Sequence, residues 1–176
     1  MNSSKYPKEL SRGTNNVVIA LNKKEAGKIF TPESRVEISV EADNLKYANK
    51  INDLVVKFIR IEMEEDSQIL VMERLNIFEP RSFEVEVREI MYSVFIEKLK
   101  ELHSNGFVHR DIKRPSGYGG KPFDNVVFTS EGIRLIDVGI SAIKEKAWED
   151  LFKKYVDTEL KETEEYYSFI MDNIGF

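Results

Sequence analysis

The sequence predicts an α+β protein. Residues 6–75 carry short runs rich in Val, Ile and Phe separated by turn residues, whereas from Glu84 onward the apolar residues recur at helical spacing. With 176 residues, 41% hydrophobic and 32% charged, the chain has apolar material for one compact core, held as a single domain or as two small lobes that share it.

The elements follow in order. Tyr6 to Arg12 and Val17 to Asn22 flank the polar turn Gly13-Thr14-Asn15-Asn16, and Gly27 to Phe30 follows the charged bend Lys23-Lys24-Glu25; the reading is three antiparallel strands. Thr31-Pro32-Glu33-Ser34 is a helix entry with proline in the first turn, continued by Val36, Val40, Leu45, Ala48 and Ile51. Leu54 to Glu62 and Gln68 to Leu75 read as two further strands joined by the acidic turn Glu64-Glu65-Asp66-Ser67. Between Glu84 and Ser104, Val87, Ile90, Met91, Val94, Phe95, Leu99 and Leu102 fall on one helical face, and Asn105-Gly106 supplies a left-handed stop. Val126-Val127-Phe128 and Ile133 to Ile136 form a hairpin across Ser130-Glu131-Gly132. Two amphipathic helices close the chain, the first set by Trp148, Leu151, Phe152, Tyr155 and Val156, the second by Leu160, Tyr166, Tyr167 and Ile170.

Composition removes several classes of function. Twenty-six Lys and Arg against 31 Asp and Glu leave a net charge of -5 with the signs mixed along the chain, which argues against a dedicated nucleic-acid binder. There is no cysteine, so disulfide scaffolds, thiolate zinc sites and cysteine nucleophiles are excluded, and two histidines cannot build a histidine-rich metal centre. Any metal must be held by oxygen. The longest apolar runs, such as Val17-Val18-Ile19-Ala20-Leu21, fall far short of the roughly 18 residues of a membrane helix. Met1-Asn2-Ser3-Ser4-Lys5 has no apolar signal region and no second-position glycine for myristoylation. The expectation is a soluble, cytoplasmic protein with no membrane partner, export by a route that reads no cleavable signal remaining open.

Two carboxylates occupy strand ends. Asp111 closes His109-Arg110-Asp111 after Phe107-Val108, and Asp137 opens Asp137-Val138-Gly139 after Leu135-Ile136. An aspartate after an apolar run is ordinarily a turn residue or a helix cap. Here the two occur together, with Lys113 two residues after the first and a long amphipathic helix before it. In this the sequence resembles the eukaryotic-type protein kinase family, whose catalytic loop reads His-Arg-Asp-x-Lys and whose metal-binding strand end reads Asp-Phe-Gly. The resemblance covers about residues 6–139 and is strongest at 107–139. It implies a two-lobed kinase-like fold: a small antiparallel-sheet N-lobe with one helix in residues 1–75, and a reduced, mainly helical C-lobe in residues 76–176.

The resemblance also implies roles for residues. Ala26-Gly27-Lys28 looks like the family's Ala-x-Lys; residues two apart share a strand face, so Ala26 can lie against a base while Lys28 reaches the phosphates. Leu10 to Val18 aligns without gaps on the glycine-rich loop, which makes Gly13 and Val18 nucleotide contacts, although only the middle glycine is kept and Asn15 and Asn16 take the other turn positions. Glu41 is the expected ion-pair partner of Lys28, with Glu37 as the alternative. Ile69 to Leu75 is similar to the strand that enters the hinge, with Met72 backing the adenine pocket and Glu73 to Leu75 offering backbone hydrogen bonds. Asn125 matches the magnesium-holding asparagine but lies 14 residues after Asp111 where the family has five, so nine residues are inserted between Lys113 and Asp124. Asp124 is an alternative metal ligand or a turn residue.

Taken together the resemblance implies an ATP- and magnesium-dependent phosphotransferase. Asp111 would orient the attacking hydroxyl, Lys113 would neutralise charge on the transferred phosphoryl group, Lys28 fixed by Glu41 would hold the nucleotide, and Asp137 with Asn125 would hold Mg2+. His109 and Arg110 read as scaffold. The last of five prolines is Pro122, so no Ala-Pro-Glu follows Asp137, and the 37 residues after Gly139 suffice for two helices but not for a full peptide-docking lobe. The leading expectation is a minimal protein Ser/Thr kinase with a protein substrate. The alternatives are a small-molecule kinase and a pseudokinase that binds nucleotide or acts as a scaffold.

Overall fold

The computed structural model describes residues 7–12, 16–30, 37–64, 67–114 and 121–172. Five strands, β1 (Lys8–Arg12), β2 (Asn16–Ala20), β3 (Glu25–Phe30), β4 (Phe58–Glu64) and β5 (Ser67–Glu73), make an antiparallel sheet in the order β1-β2-β3-β5-β4. Facing residues of an antiparallel pair share a side of the sheet, and residues two apart return to it. Val18 faces Lys28, Lys28 faces Leu70, and Ala26 faces Met72, so register alone gathers Val18, Ala26, Lys28, Leu70 and Met72 on one side. On the other side Gly27 gives room to Ile69, whose Cγ2 would lie 2.7 Å from a Cβ placed there.

Helix α1 (Ile38–Asn49) turns Glu41, Ala42, Asn44, Leu45 and Ala48 inward at three- and four-residue spacing. The expected helix entry at Thr31 to Ser34, and Val36, lie outside the described residues. The strand expected over Leu54 to Glu62 begins only at Phe58. Leu54 to Val56 instead run beside Leu135, with Val56 N–H donating to the Leu135 carbonyl and Leu135 N–H to the Leu54 carbonyl, each at 2.8 Å. The apolar run is real, and its partner is the distant hairpin rather than the sheet.

The second half starts with α2 (Val85–Ser104), which Asn105 and the left-handed Gly106 end as expected. Its buried residues are Arg88, Phe95, Leu99 and Leu102, whereas Val87, Ile90 and Val94 are exposed, Ile90 at 65%. The apolar residues spread over about half the helix circumference at 100° per residue, and only part of that arc is covered. Strand β6 (Phe107–Val108) pairs with β9 (Ala142–Ile143), a two-residue strand too short to show a period in the sequence. Strands β7 (Val126–Thr129) and β8 (Gly132–Leu135) form the expected hairpin.

The expected pair of closing helices is a single 23-residue helix, α3 (Glu149–Met171). Its buried stripe is Phe152, Glu159, Thr163, Tyr166 and Ile170. Two members of that stripe are polar, so the apolar pattern breaks mid-helix although no glycine or proline does. Trp148, expected inside the first helix, is the N-cap and is 85% exposed. One hydrophobic cluster runs from Ala26, Leu45 and Leu70 through Leu54 and Leu135 to Phe95, Leu99 and Tyr166, so the sheet and the helices share a core. No helix among the described residues is long and apolar enough to cross a membrane.

Candidate functional site

Lys28 is buried on the inward side of β3, and its Nζ lies 2.8 Å from both carboxylate oxygens of Glu41 and 2.8 Å from Oδ1 of Asp137. Glu41, one turn into α1, is therefore the partner; Glu37 sits at the N-cap and makes no such contact. Burial alone would lower the lysine, and the Glu41 and Asp137 charges overcome it and hold the ammonium above the usual lysine range. Burial pushes the Glu41 carboxyl up while the Lys28 charge pulls it back. Two 2.8 Å bonds to a cation that is itself held charged make the ion pair the state described here.

Asp137 follows β8 in a left-handed conformation, φ 60°, which aspartate tolerates better than most residues. Burial raises its carboxyl, and the Lys28 charge and hydrogen bond outweigh this and bring it below the usual range. The side chain stays 44% exposed. Asn44 of α1 donates to the Val138 carbonyl at 2.9 Å, tying the helix that carries Glu41 to the turn that carries Asp137. Ile136 N–H donates to the Asn125 carbonyl at 3.0 Å, which sets Asn125 beside this strand end.

Asn125 also bridges to the second carboxylate: its Nδ2 donates to the Asp111 carbonyl at 3.0 Å and to Asp111 Oδ2 at 2.8 Å. That leaves the amide oxygen without a bond among the described residues, and Asn125 itself lines the cleft. Burial pushes the Asp111 carboxyl above its usual range, and the Asp137 charge adds to the effect. His109 is fully buried; its Nε2–H donates to the Ile136 carbonyl at 2.9 Å, and its Nδ1 accepts from Asp111 N–H at 3.3 Å. These bonds make it the scaffold expected of it. Arg110 is held at φ 72°, its guanidinium donating to the Ile140 carbonyl at 2.9 Å and stacking 4.1 Å from the Tyr155 ring.

Three glutamates of α3 reach this loop, and sequence reading missed all of them. The buried Glu159 carboxylate accepts Arg110 N–H at 2.7 Å and contacts His103 Nε2 at 3.0 Å. Glu162 accepts from the backbone of Lys113, and burial pushes its carboxyl up to about 7, with Glu159 and Asp111 adding to the rise. Glu165 takes the ammonium of Lys113. Lys113 therefore points to α3 and does not line the cleft described next. The signal available in the sequence was the 159, 162, 165 spacing along one helix, hidden inside a polar stretch that read as a break.

A cleft of about 600 Å³ lies between the sheet and the β7–β8 hairpin. Val18, Ala26, Met72 and Leu75 are among its apolar lining residues, and Lys28, Glu41, Asn125 and Asp137 among its polar ones. Glu73 lines it as well, but Glu73 N–H donates to the Lys57 carbonyl and Arg74 N–H to the Lys24 carbonyl. The Glu73 carboxylate is held by Arg134. Of the three residues expected to offer backbone hydrogen bonds, Leu75 is the one whose N–H carries no bond among the described residues. Asp111 joins the cleft through Asn125. Gly13 lies outside the described residues. No group of three or more carboxylates or imidazoles among the described residues could hold a metal by itself, so a cation here would need oxygens of a bound ligand as well as Asp137 and the Asn125 amide oxygen.

The inserted segment between Lys113 and Asp124 is closed at its base. Arg114 N–H donates to the Pro122 carbonyl at 2.7 Å, and the Arg114 guanidinium lies 2.6 Å from Asp124, which is thereby an ion-pair partner at the cleft wall. Phe123 is buried, 5.2 Å from the rings of both Tyr166 and Phe169. Residues 115–120 lie outside the described residues.

No family model matches the chain. The chain is similar, at 28% identity over 112 residues, to a protein of Dictyostelium discoideum named as a probable serine/threonine-protein kinase. The match takes in 59% of this chain and 20% of that protein, so the chain spans about a fifth of its relative's length. The likeness points to a kinase-like relationship and carries no finer statement.

Proposed function

We propose that the chain is an ATP- and magnesium-dependent phosphotransferase on a minimal two-lobed kinase-like frame, acting on a Ser or Thr hydroxyl of a protein. Residues 1–75 form the nucleotide-holding lobe in this reading, and residues 76–176 carry the transfer loop. The observation that carries it is the placement of Lys28 of the sheet between Glu41 of α1 and Asp137 of the hairpin exit, in one cleft, with Asn125 linking that exit to Asp111. A fixed ammonium beside a half-exposed carboxylate suits a polyphosphate with its cation, and the apolar lining residues Val18, Ala26, Met72 and Leu75 suit a base.

Magnesium-ATP supplies the transferable phosphoryl group and the charge that neutralises it. The chain's residues do the rest. Lys28 holds phosphate oxygens, and Asp137 with the Asn125 amide oxygen offers ligands to the cation. Asp111 accepts the hydroxyl proton as the hydroxyl oxygen bonds to the γ-phosphorus; the bond from that phosphorus to the β-γ bridging oxygen breaks, and ADP leaves. Burial keeps Asp111 more basic than an exposed aspartate, which favours proton acceptance.

The test is direct. Magnesium-ATP should raise the melting temperature of the purified protein, and Asp137→Ala should remove the magnesium dependence of that rise. Labelled ATP with a cell extract should give a labelled protein band; a labelled metabolite would point to the small-molecule reading, and nucleotide binding without transfer to a pseudokinase.

A further inference from the structure

Three arginines line the cleft without a task in the reading above, and one of them, Arg74, donates to the Asn22 carbonyl at 3.0 Å. Arg12, at the end of β1, and Arg114, at the base of the insertion, line it from opposite walls. Each is already oriented by a carboxylate. Arg12 donates to Glu9 through Nε at 3.2 Å and Nη2 at 2.7 Å, and Arg114 lies 2.6 Å from Asp124. The Arg12 pair is exposed and the Arg114 pair partly so, so each carboxylate can be exchanged for another planar or tetrahedral oxyanion at modest cost. Guanidinium binds phosphate oxygens in the same two-point manner.

The turn between β1 and β2 adds a reason. A loop that grips phosphate through its backbone needs glycine where the chain must approach the anion closely. From Leu10 to Val18 the sequence offers one glycine, Gly13, so backbone donors free to approach an anion closely are few. A side-chain cation on the same strand supplies what they lack.

We propose that Arg12 and Arg114 are specificity-determining residues for the nucleotide's polyphosphate, clamping the phosphate chain from the two walls in place of a glycine-rich backbone cradle. Their carboxylate partners Glu9 and Asp124 hold them ready when no ligand is bound. The proposal rests on the nucleotide-site reading above and predicts more: affinity set by phosphate number rather than by the base alone.

The experiment is titration calorimetry of the full chain and of Arg12→Gln and Arg114→Gln with magnesium-ATP, adenosine and magnesium-tripolyphosphate. Arg12 is exposed at a strand end, so Arg12→Gln should keep the melting temperature of the unliganded protein and is the decisive variant. The expected result is that each variant binds magnesium-ATP and tripolyphosphate about tenfold more weakly, the loss of one charge-assisted contact, while adenosine binding is unchanged. Unchanged magnesium-ATP affinity in Arg12→Gln, or an equal loss for adenosine, overturns the clamp and leaves the nucleotide site standing. Failure of the unmodified chain to bind magnesium-ATP overturns the nucleotide site and the clamp together.

Discussion

The carboxylate of Glu159, buried in α3, accepts the backbone N–H of Arg110 at 2.7 Å, one residue before Asp111. Arg110 is in a left-handed conformation, φ 72°, that a bulky residue adopts only when its surroundings impose it. The glutamate therefore fixes the direction in which the chain presents Asp111. Glu159→Ala strips the Arg110 N–H and His103 of a buried partner and should cost about 2 to 4 kcal/mol in urea unfolding. Glu159→Gln keeps a carbonyl acceptor and should cost less. A loss within 0.5 kcal/mol for the alanine variant would remove this role.

Lys113 is turned to Glu165, away from the cleft. Transfer through Lys113 would require the ammonium to leave that glutamate. Glu165→Gln should therefore raise the turnover of labelled phosphate transfer severalfold while changing stability by less than about 1 kcal/mol, since the pair is exposed. Lys113→Met should lower turnover with magnesium-ATP affinity kept. Equal turnover in the unmodified chain and both variants would show that Lys113 takes no part.

Glu162 sets a pH dependence whose sign is fixed. Its carboxyl titrates at about 7 in the folded chain against an ordinary value of 4.5. Between those values the folded state keeps a proton that the unfolded state has lost, so its contribution makes stability fall as pH rises through that window and level off above 7. Glu162→Gln removes this contribution. The variant should match the unmodified chain near pH 4 and exceed it at pH 8 by on the order of 1 kcal/mol. Melting temperatures of both proteins across that range are the check, and parallel curves would refute the assignment.

Phe123 anchors the returning end of the insertion against Tyr166 and Phe169. Phe123→Ala should cost about 3 kcal/mol, the usual loss for a buried ring. Phe123→Leu, milder, should leave a folded protein in which Asn125 is less well held, read as a weakened magnesium dependence of the ATP-induced melting shift. If Phe123→Leu keeps the full dependence, the ring does not position the asparagine.

Much of this architecture was legible because short-range signals fixed it. Ala26 and Lys28 share a strand side, Asn105-Gly106 ends α2, and the Val126 to Leu135 hairpin carries Asp137 at its exit, each readable from spacing. The choice of Glu41 over Glu37 followed from helical position and agrees with the 2.8 Å contacts. What escaped depends on contacts distant in sequence. Leu54 to Val56 looked like a strand because they are apolar, and only the bonds to Leu135 reveal where they belong. The unity of α3 was hidden because Glu159 and Thr163 occupy its buried stripe: residues that are polar because they face a loop's backbone or a neighbouring turn read, in one dimension, as a surface interruption.

The closed base of the insertion has one further consequence. With Arg114 N–H on the Pro122 carbonyl and Phe123 sunk among rings, the residues between them begin and end at one fixed point. Their number is then decoupled from the placement of Asp111 and Asn125, since doubling a tethered loop adds only about 0.6 kcal/mol of closure entropy. Changing the number of residues between Arg114 and Pro122 should therefore leave the contacts of Phe123 and Asn125 as they are.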